Sequence, residues 1–357
     1  MILMALDHVS LFWNSGRRSG EGLMGSRPDF PNFTQFILRF VTHYCAPTFI
    51  FLAGTSLALS TAKRLSSGRT RRDISLHMIK RGGFLLLLTP FVEAPAFGSS
   101  PIYFGVLACI GSCFIIFSLL YRLPPKVILA LSILMIVAHP FLNLDWIMQD
   151  SAGSLYLRVV LHEPRMDTYP YVGLYPIIPW LGVMGLGWCF GVFLSNCSRV
   201  RIRKLTPYLA ASGLVSLTLW FVVRFFNGFG NLLPRLGWPL EDWLYMSKYP
   251  PDLAFLLWTL GGMCFFLALG NVLQDRHHII RPVTEVIHTF GRTPLFFYLV
   301  HLWLYRLRPG WVTRPPFYLD LATMTLFWAL GLLVLWRLCL RFEKLKKSFP
   351  NSLLQYI

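Results

Sequence analysis

The sequence predicts an all-α integral membrane protein, a polytopic bundle of about ten transmembrane helices forming one domain over residues 1–357. Three observations carry the prediction. Hydrophobic residues make up 55% of the chain and charged residues only 14%, too apolar for water-soluble domains. Apolar runs recur with short gaps from one end to the other. The basic residues concentrate in alternate connections between those runs.

Apolar stretches bounded by charge, Pro and Gly place spans near 1–13, 34–62, 76–97, 101–121, 125–143, 174–195, 206–227, 252–273, 284–305 and 319–341. The first is short, about 20 Å at 1.5 Å per residue against roughly 30 Å of hydrocarbon. Met1 opens directly into ILMALDHVSLFW with no basic segment ahead of it, so this is no ordinary signal peptide. A start codon assigned too late, and hence an N-terminally truncated first helix, is the expectation. Residues 342–357 read as a basic cytoplasmic tail.

Lys63, Arg64, Arg69, Arg71, Arg72, Lys80 and Arg81 follow the second span, and Arg122 and Lys126 the fourth. Arg199, Arg201, Arg203 and Lys204 follow the sixth, Arg276 and Arg281 the eighth, and Arg341, Lys344, Lys346 and Lys347 the last. The positive-inside rule then sets these connections and both termini in the cytoplasm. The opposite connections, 14–33, 144–173, 228–251 and 306–318, are rich in Trp, Tyr, Pro and Gly, with Trp146, Trp238, Trp243 and Trp311 as interfacial anchors. The net charge of +17 is thus topological, and with no basic stripe it does not indicate nucleic acid. Seven cysteines show neither a paired framework nor metal-ligand spacing, so no metal is expected. No inverted repeat is visible, which weighs against a secondary transporter.

Charge inside hydrocarbon is costly, so an ionisable residue there is a functional candidate with structural pairing as its rival. Asp7 and His8 in ALDHVSLFW and His43 in RFVTHYCAPTFIFLAG approach one membrane level near the outer face. Arg39 and His43, spaced i,i+4, share a helix face, and Asp7 could orient an imidazole. A polar network joining two helices would use the same residues. Tyr298 and His301 share a face in FGRTPLFFYLVHLWLY, where Gly291 and Pro294 permit a kink. Arg292, deeper toward the cytoplasm, either binds phosphate or carboxylate or snorkels to headgroups. Arg224, Asn227 and Lys248 could line a vestibule for a polar acceptor, the alternative being a turn closed by Asn227, Gly228 and Gly230 with Arg224 at the interface. His139, before Pro140 and without a nearby acid, reads as interfacial, and His277 and His278 as solvated.

The strings ALDHVSLFW, THYCAPTFIFLAGTS, YPIIPWLGVMGLG, KYPPDL and GRTPLFFYLVH, with the ending RFEKLKKSFPNSLLQYI, resemble one bacterial membrane family over essentially the whole chain. That family is related to the catalytic domain of heparan-alpha-glucosaminide N-acetyltransferase. Its members carry an Arg-Gly pair just before ILMALDH, which agrees with a truncated start. The resemblance implies a transmembrane acyltransferase domain that moves an acetyl or other acyl group from cytoplasmic acetyl-CoA or acyl-CoA to an acceptor on the outer side.

In the lysosomal enzyme's motif an asparagine matches His8 and an aspartate matches His43, and its proposed catalytic histidine lies in the loop between these spans. Here that loop, NSGRRSGEGLMGSRPDFPNF, has no histidine, which leaves His8 or His43 as substitute base. Acyl transfer needs a base of pKa near ~7, which suits imidazole. The resemblance therefore implies His43 or His8 as general base or acylated nucleophile, Asp7 as its orienting partner, and Tyr298 or His301 as donor to the oxyanion. It also implies Lys80, Arg81 and Arg292 as attractors of CoA phosphates, although no Gly-rich phosphate loop is present. The expected partners are acyl-CoA, a carbohydrate or lipid-headgroup acceptor, and membrane lipids of a bacterial inner membrane, with homo-oligomer formation left open. A transporter or lipid flippase using the same histidines and arginines is the alternative.

Overall fold

The computed structural model describes residues 1–18, 22, 27–100, 102–142, 144, 147, 151–164, 171–275, 281–307, 318–350 and 352–356. Trp146, Trp311, Arg276, His277 and His278 lie outside the described residues. The helices are α1 (Ile2–Trp13), α2 (Phe33–Thr42), α3 (Cys45–Ser66), α4 (Arg71–Leu88), α5 (Ala94–Phe97), α6 (Val106–Leu120), α7 (Pro125–Ala138) and α8 (Ala152–Leu161). They continue as α9 (Ile177–Ser195), α10 (Arg199–Arg203), α11 (Thr206–Phe226), α12 (Leu240–Leu244), α13 (Leu253–Asp275), α14 (Arg281–Arg292), α15 (Pro294–Arg306) and α16 (Leu321–Ser348). Two three-residue strands, β1 (Ile102–Phe104) and β2 (Tyr171–Gly173), pair in parallel and are the sheet among the described residues. The protein is all-α.

Among the described residues five segments are long and apolar enough to cross a membrane: Phe33–Ser66, Ile177–Ser195, Thr206–Phe226, Leu253–Leu273 and Leu321–Ser348. The other apolar helices, Ile2–Trp13, Val106–Leu120, Pro125–Phe141 and Ala152–Leu161, are shorter. Several expected spans are interrupted, each for a local reason. The run at 101–121 opens in β1, and its helix starts only after Gly105. The run at 76–97 passes through a π turn, Thr89–Glu93, which contains Pro90, and stops at Gly98 with φ 63. The run at 284–305 breaks at Thr293, before the helix-starting Pro294. The connection at 144–173 contains α8, whose Ser151 side chain accepts from Ser154 N–H.

Backbone neighbours divide the chain into two compact units. The first comprises Met1–Ser19, Pro28–Cys45 and Leu273–Ile357. In it, α1 is tied to α15 and α16 at both ends. Trp328 Nε1–H donates to Ile2 O at 3.3 Å, Trp13 Nε1–H donates to Tyr305 O at 2.7 Å, and Leu319 N–H donates to Trp13 O at 2.6 Å. A second tie joins α1 to α2. Asn14 Nδ2–H donates to Gln35 Oε1 at 2.8 Å and Gln35 Nε2–H returns to Asn14 Oδ1 at 3.2 Å, while Asn32 caps α2 through Gln35 N–H. These bonds hold the rotation of α1, and so the directions of Asp7 and His8.

The second unit comprises Gly20–Arg27 and Ala46–Val272. Its α9 is a packing spine that meets two neighbours through glycine. A Cβ at Gly185 would lie 2.0 Å from Ser132 Oγ on α7, and one at Gly187 would lie 1.9 Å from Phe51 O on α3. Backbone contact this close also admits a bond across the interface, from Thr55 Oγ1–H to Gly187 O at 3.0 Å. Small residues at helix interfaces maximise dispersion contact where lipid gives no hydrophobic drive to pair helices.

Candidate functional site

Asp7 and His8 are neighbours on α1, so their side chains leave the helix about 100° apart. In the first unit the two directions serve different partners. Asp7 Oδ1 accepts from Arg39 Nη1–H at 2.8 Å, Arg17 Nη1–H at 2.9 Å and Thr42 Oγ1–H at 3.0 Å. Arg17 also donates to Asp7 O at 2.8 Å. This buried carboxylate joins α1, α2 and the stretch after α1, as the polar-network reading of these residues requires. Arg17 and Thr42 carried no apolar-run or spacing signal, because their contact with Asp7 depends on the fold.

His8 turns toward α15. Its Nδ1 lies 2.7 Å from Nε2 of His301, with the rings nearly parallel and centroids 4.9 Å apart. His301 is fully buried at 0% exposure, and its Nδ1 lies 2.9 Å from the carbonyl of Phe297 one turn earlier. These contacts assign the tautomers for a neutral pair. A carbonyl can only accept, so His301 Nδ1 carries the proton and donates to Phe297 O, and His301 Nε2 is an acceptor. His8 Nδ1–H then donates to His301 Nε2, which puts the His8 lone pair on Nε2. Tyr298 is buried with its ring edge-on to His8, centroids 6.3 Å apart, and 5.6 Å from that of His301.

His43 is buried at the C-cap of α2, one residue past the helix that carries Arg39, with its ring 6.1 Å from that of Phe40. Arg292, at the end of α14, is exposed and ion-paired with Glu343 of α16 at 3.4 Å. In the second unit, Lys80 is exposed on α4 and Arg81 stacks over Phe114 at 5.4 Å. Lys248 is buried beside Tyr249. Among the described residues no group of three or more His, Cys, Asp or Glu could hold a metal ion.

Asn227 sits in a turn, while the Arg224 side chain is buried within the connection after α11 and not at the interface. Arg224 is fully buried and directs its five N–H groups to the carbonyls of Trp243, Leu233, Asp242 and Tyr245 and to Asn231 Oδ1. Asn227, at φ 53, ends α11 and exchanges two bonds with the Arg235 backbone. A guanidinium with every donor committed is a clamp on the connection that follows α11, with no hydrogen left for a ligand. His139 differs from expectation too. It is buried, not interfacial, with its Nδ1 3.1 Å from His162 Nε2, next to a buried Arg158 that pairs with Glu163 at 2.7 Å.

Compared with known families, residues 29–225 match the family described as heparan-alpha-glucosaminide N-acetyltransferase, catalytic, a match over more than half of the chain. No curated protein matches the chain. The matched stretch contains Arg39, His43 and Arg224, while His8 and His301 flank it.

Proposed function

Because the chain belongs to the family of heparan-alpha-glucosaminide N-acetyltransferase catalytic domains, we propose that it is a membrane acyltransferase in which His8 is the general base. It takes an acetyl or other acyl group from acyl-CoA and delivers it to a hydroxyl or amine of a sugar, glycan or lipid headgroup. The family membership and the apolar helices together support a multi-pass membrane enzyme. Ten crossings, both termini in the cytoplasm, delivery to the outer side and a bacterial inner membrane extend that reading.

The observation that carries the assignment is the His8–His301–Phe297 chain of contacts at 2.7 and 2.9 Å. In the proposed step His8 Nε2 takes the proton of the acceptor as its oxygen or nitrogen attacks the thioester carbonyl carbon. The C–S bond then breaks, the acyl group stays on the acceptor, and the CoA thiolate leaves as a thiol with the proton from His8. While His8 is an imidazolium, its Nδ1–H bond to His301 Nε2 spreads that charge into a dry site. His301 is a positioning and charge-sharing residue in this scheme, with its own Nδ1–H fixed on Phe297 O. Tyr298, its ring edge-on to His8, is the oxyanion donor in this scheme. The Asp7 cluster holds α2 against α1 and so sets where His8 stands.

The competing reading is a transporter using the same pair as its proton site. It draws on the helix interruptions near residues 43, 89–93 and 293, a feature of membrane carriers. Incubating purified protein with radiolabelled acetyl-CoA and a mixture of amino-sugar and lipid acceptors tests the two. Release of CoA or labelled product that depends on His8 supports acyl transfer. A folded wild type that neither binds nor consumes acetyl-CoA, yet exchanges substrate across liposomes, refutes it.

A further inference from the structure

Four basic side chains from two helices of the second unit gather at one place. Arg64 comes from the last turn of α3, and His77, Lys80 and Arg81 come from α4. Spacings of i, i+3 and i+4 set the three α4 residues on one face of that helix. Arg64 Nη2–H donates to His77 Nε2 at 3.2 Å, since a guanidinium cannot accept, and this contact brings α3 onto the same face. Arg81 lies over the Phe114 ring of α6 at 5.4 Å. Arg64, Lys80 and Arg81 each interact electrostatically with His77, and Arg64 does so with Arg81.

No acid answers this cluster. Among the described residues no carboxylate stands within ion-pair distance of Arg64, Lys80 or Arg81. The acid nearest in sequence, Asp73, is engaged at the start of α4, where its Oδ2 accepts the N–H and the hydroxyl of Thr70. Arg81 follows Arg71, the first residue of α4, at a distance of about 15 Å along the helix axis. A charge that only marks topology extends into water, whereas Arg64 and Arg81 are half-buried.

The open flank of the cluster is apolar. Leu76, Ile79 and Leu87, on the side of α4 next to Lys80, are exposed. Ile74, Met78 and Leu85, on the side next to Arg81, are buried. The cations therefore sit where the packed face of α4 gives way to the face that lipid covers. Exposed leucine and isoleucine meet acyl chains there, so the anion within reach of the cations is one carried at the end of such chains. Phosphate suits them, because guanidinium planes offer it paired N–H groups and lysine a point charge. It also relieves the mutual repulsion of half-buried like charges. A zwitterionic headgroup brings a further cation, so a lipid of net negative charge fits better.

We propose that Arg64, Lys80 and Arg81 bind the headgroup phosphate of an anionic phospholipid, with His77 fixing Arg64 in place and the acyl chains running along Leu76, Ile79 and Leu87. The proposal rests on the multi-pass membrane character of the chain and not on the acyl-transfer scheme.

The test counts lipids on the full-length protein in detergent by native mass spectrometry, with phosphatidylglycerol or phosphatidylcholine of the same acyl chains as titrant. The wild type prefers phosphatidylglycerol by about fivefold or more. Arg64→Gln and Arg81→Gln each lose about fivefold in affinity for phosphatidylglycerol and keep their affinity for phosphatidylcholine. Lys204→Gln, which removes an exposed charge from the connection after α10, changes neither. His77→Gln, whose amide oxygen can still accept from Arg64, keeps the preference and His77→Leu weakens it, so the comparison survives if an arginine variant does not fold. A wild type without preference, arginine variants that keep it, or a Lys204 variant that loses as much overturns the site. CoA that displaces phosphatidylglycerol from the wild type, with an affinity that falls in the arginine variants, gives the cluster to a soluble phosphate ester and overturns the lipid assignment.

Discussion

The variant His301→Ala removes the acceptor of the His8 Nδ1–H bond without touching the proposed base. His301 is fully buried and its Nε2 is 2.7 Å from His8, so no solvent replaces the lost partner at once. A hydrogen bond to a charged group contributes ~1.5–3 kcal/mol. At ~1.36 kcal/mol per decade this corresponds to a loss of roughly 10- to 150-fold in kcat/KM. His8→Ala removes the base itself and costs on the order of 10²- to 10⁴-fold. Because His301 acts only through the His8 imidazole, the double variant falls no further than His8→Ala, a non-additivity that independent structural damage does not produce. His301→Gln, which can present an amide oxygen to His8, recovers part of the loss. The assay is CoA release from acetyl-CoA by purified variants whose thermal unfolding matches the wild type. Additive losses, or a His301→Ala enzyme as fast as the wild type, would refute the paired-histidine mechanism.

Three further outcomes follow from the second unit. Arg224→Lys replaces five donors by three, and with buried carbonyls left unmatched the unfolding free energy drops by ~3–5 kcal/mol; a lysine variant as stable as the wild type in denaturant titration rules out the clamp. Gly187→Ala forces a Cβ to within 1.9 Å of Phe51 O and lowers stability by ~1–3 kcal/mol. Gly83→Ala, which meets nothing within 4 Å inside α4, does not lower the unfolding temperature and raises it slightly, and equal effects of the two would deny the close α3–α9 packing. Burial holds the His162 imidazole below the ordinary histidine range, with Glu163 opposing the shift. A histidine lowered in the folded state contributes stability that is full above its unfolded pKa of ~6.5 and is lost as pH falls through the folded value. The unfolding temperature therefore declines below about pH 6.5, and His162→Gln flattens that decline; a profile unchanged by the substitution contradicts it.

Helical class, the apolar segments and the residues worth watching were all legible in the sequence, because the cost of charge and of unpaired backbone in lipid acts on composition and spacing alone. His8, His43, Arg39 and Asp7 stood out for that reason. Run length does not register the interruptions inside several expected spans, since β1, the π turn at Thr89–Glu93 and the break at Thr293 depend on local turn chemistry and on neighbours that hydropathy does not see. Pairing was the other limit. That Asp7 takes Arg17, Arg39 and Thr42 while His8 takes His301, 293 residues away, follows from the rotation of α1 against α2 and α15. Arg224 shows the same limit from the other side. One arginine near a membrane face suits a vestibule or the interface equally well by sequence, and only the fold brings five carbonyl and amide oxygens onto its guanidinium. Sequence thus determines which groups cannot rest alone in a membrane, and tertiary structure determines which of them satisfy one another, because a hydrogen bond is set by distance in space and not along the chain.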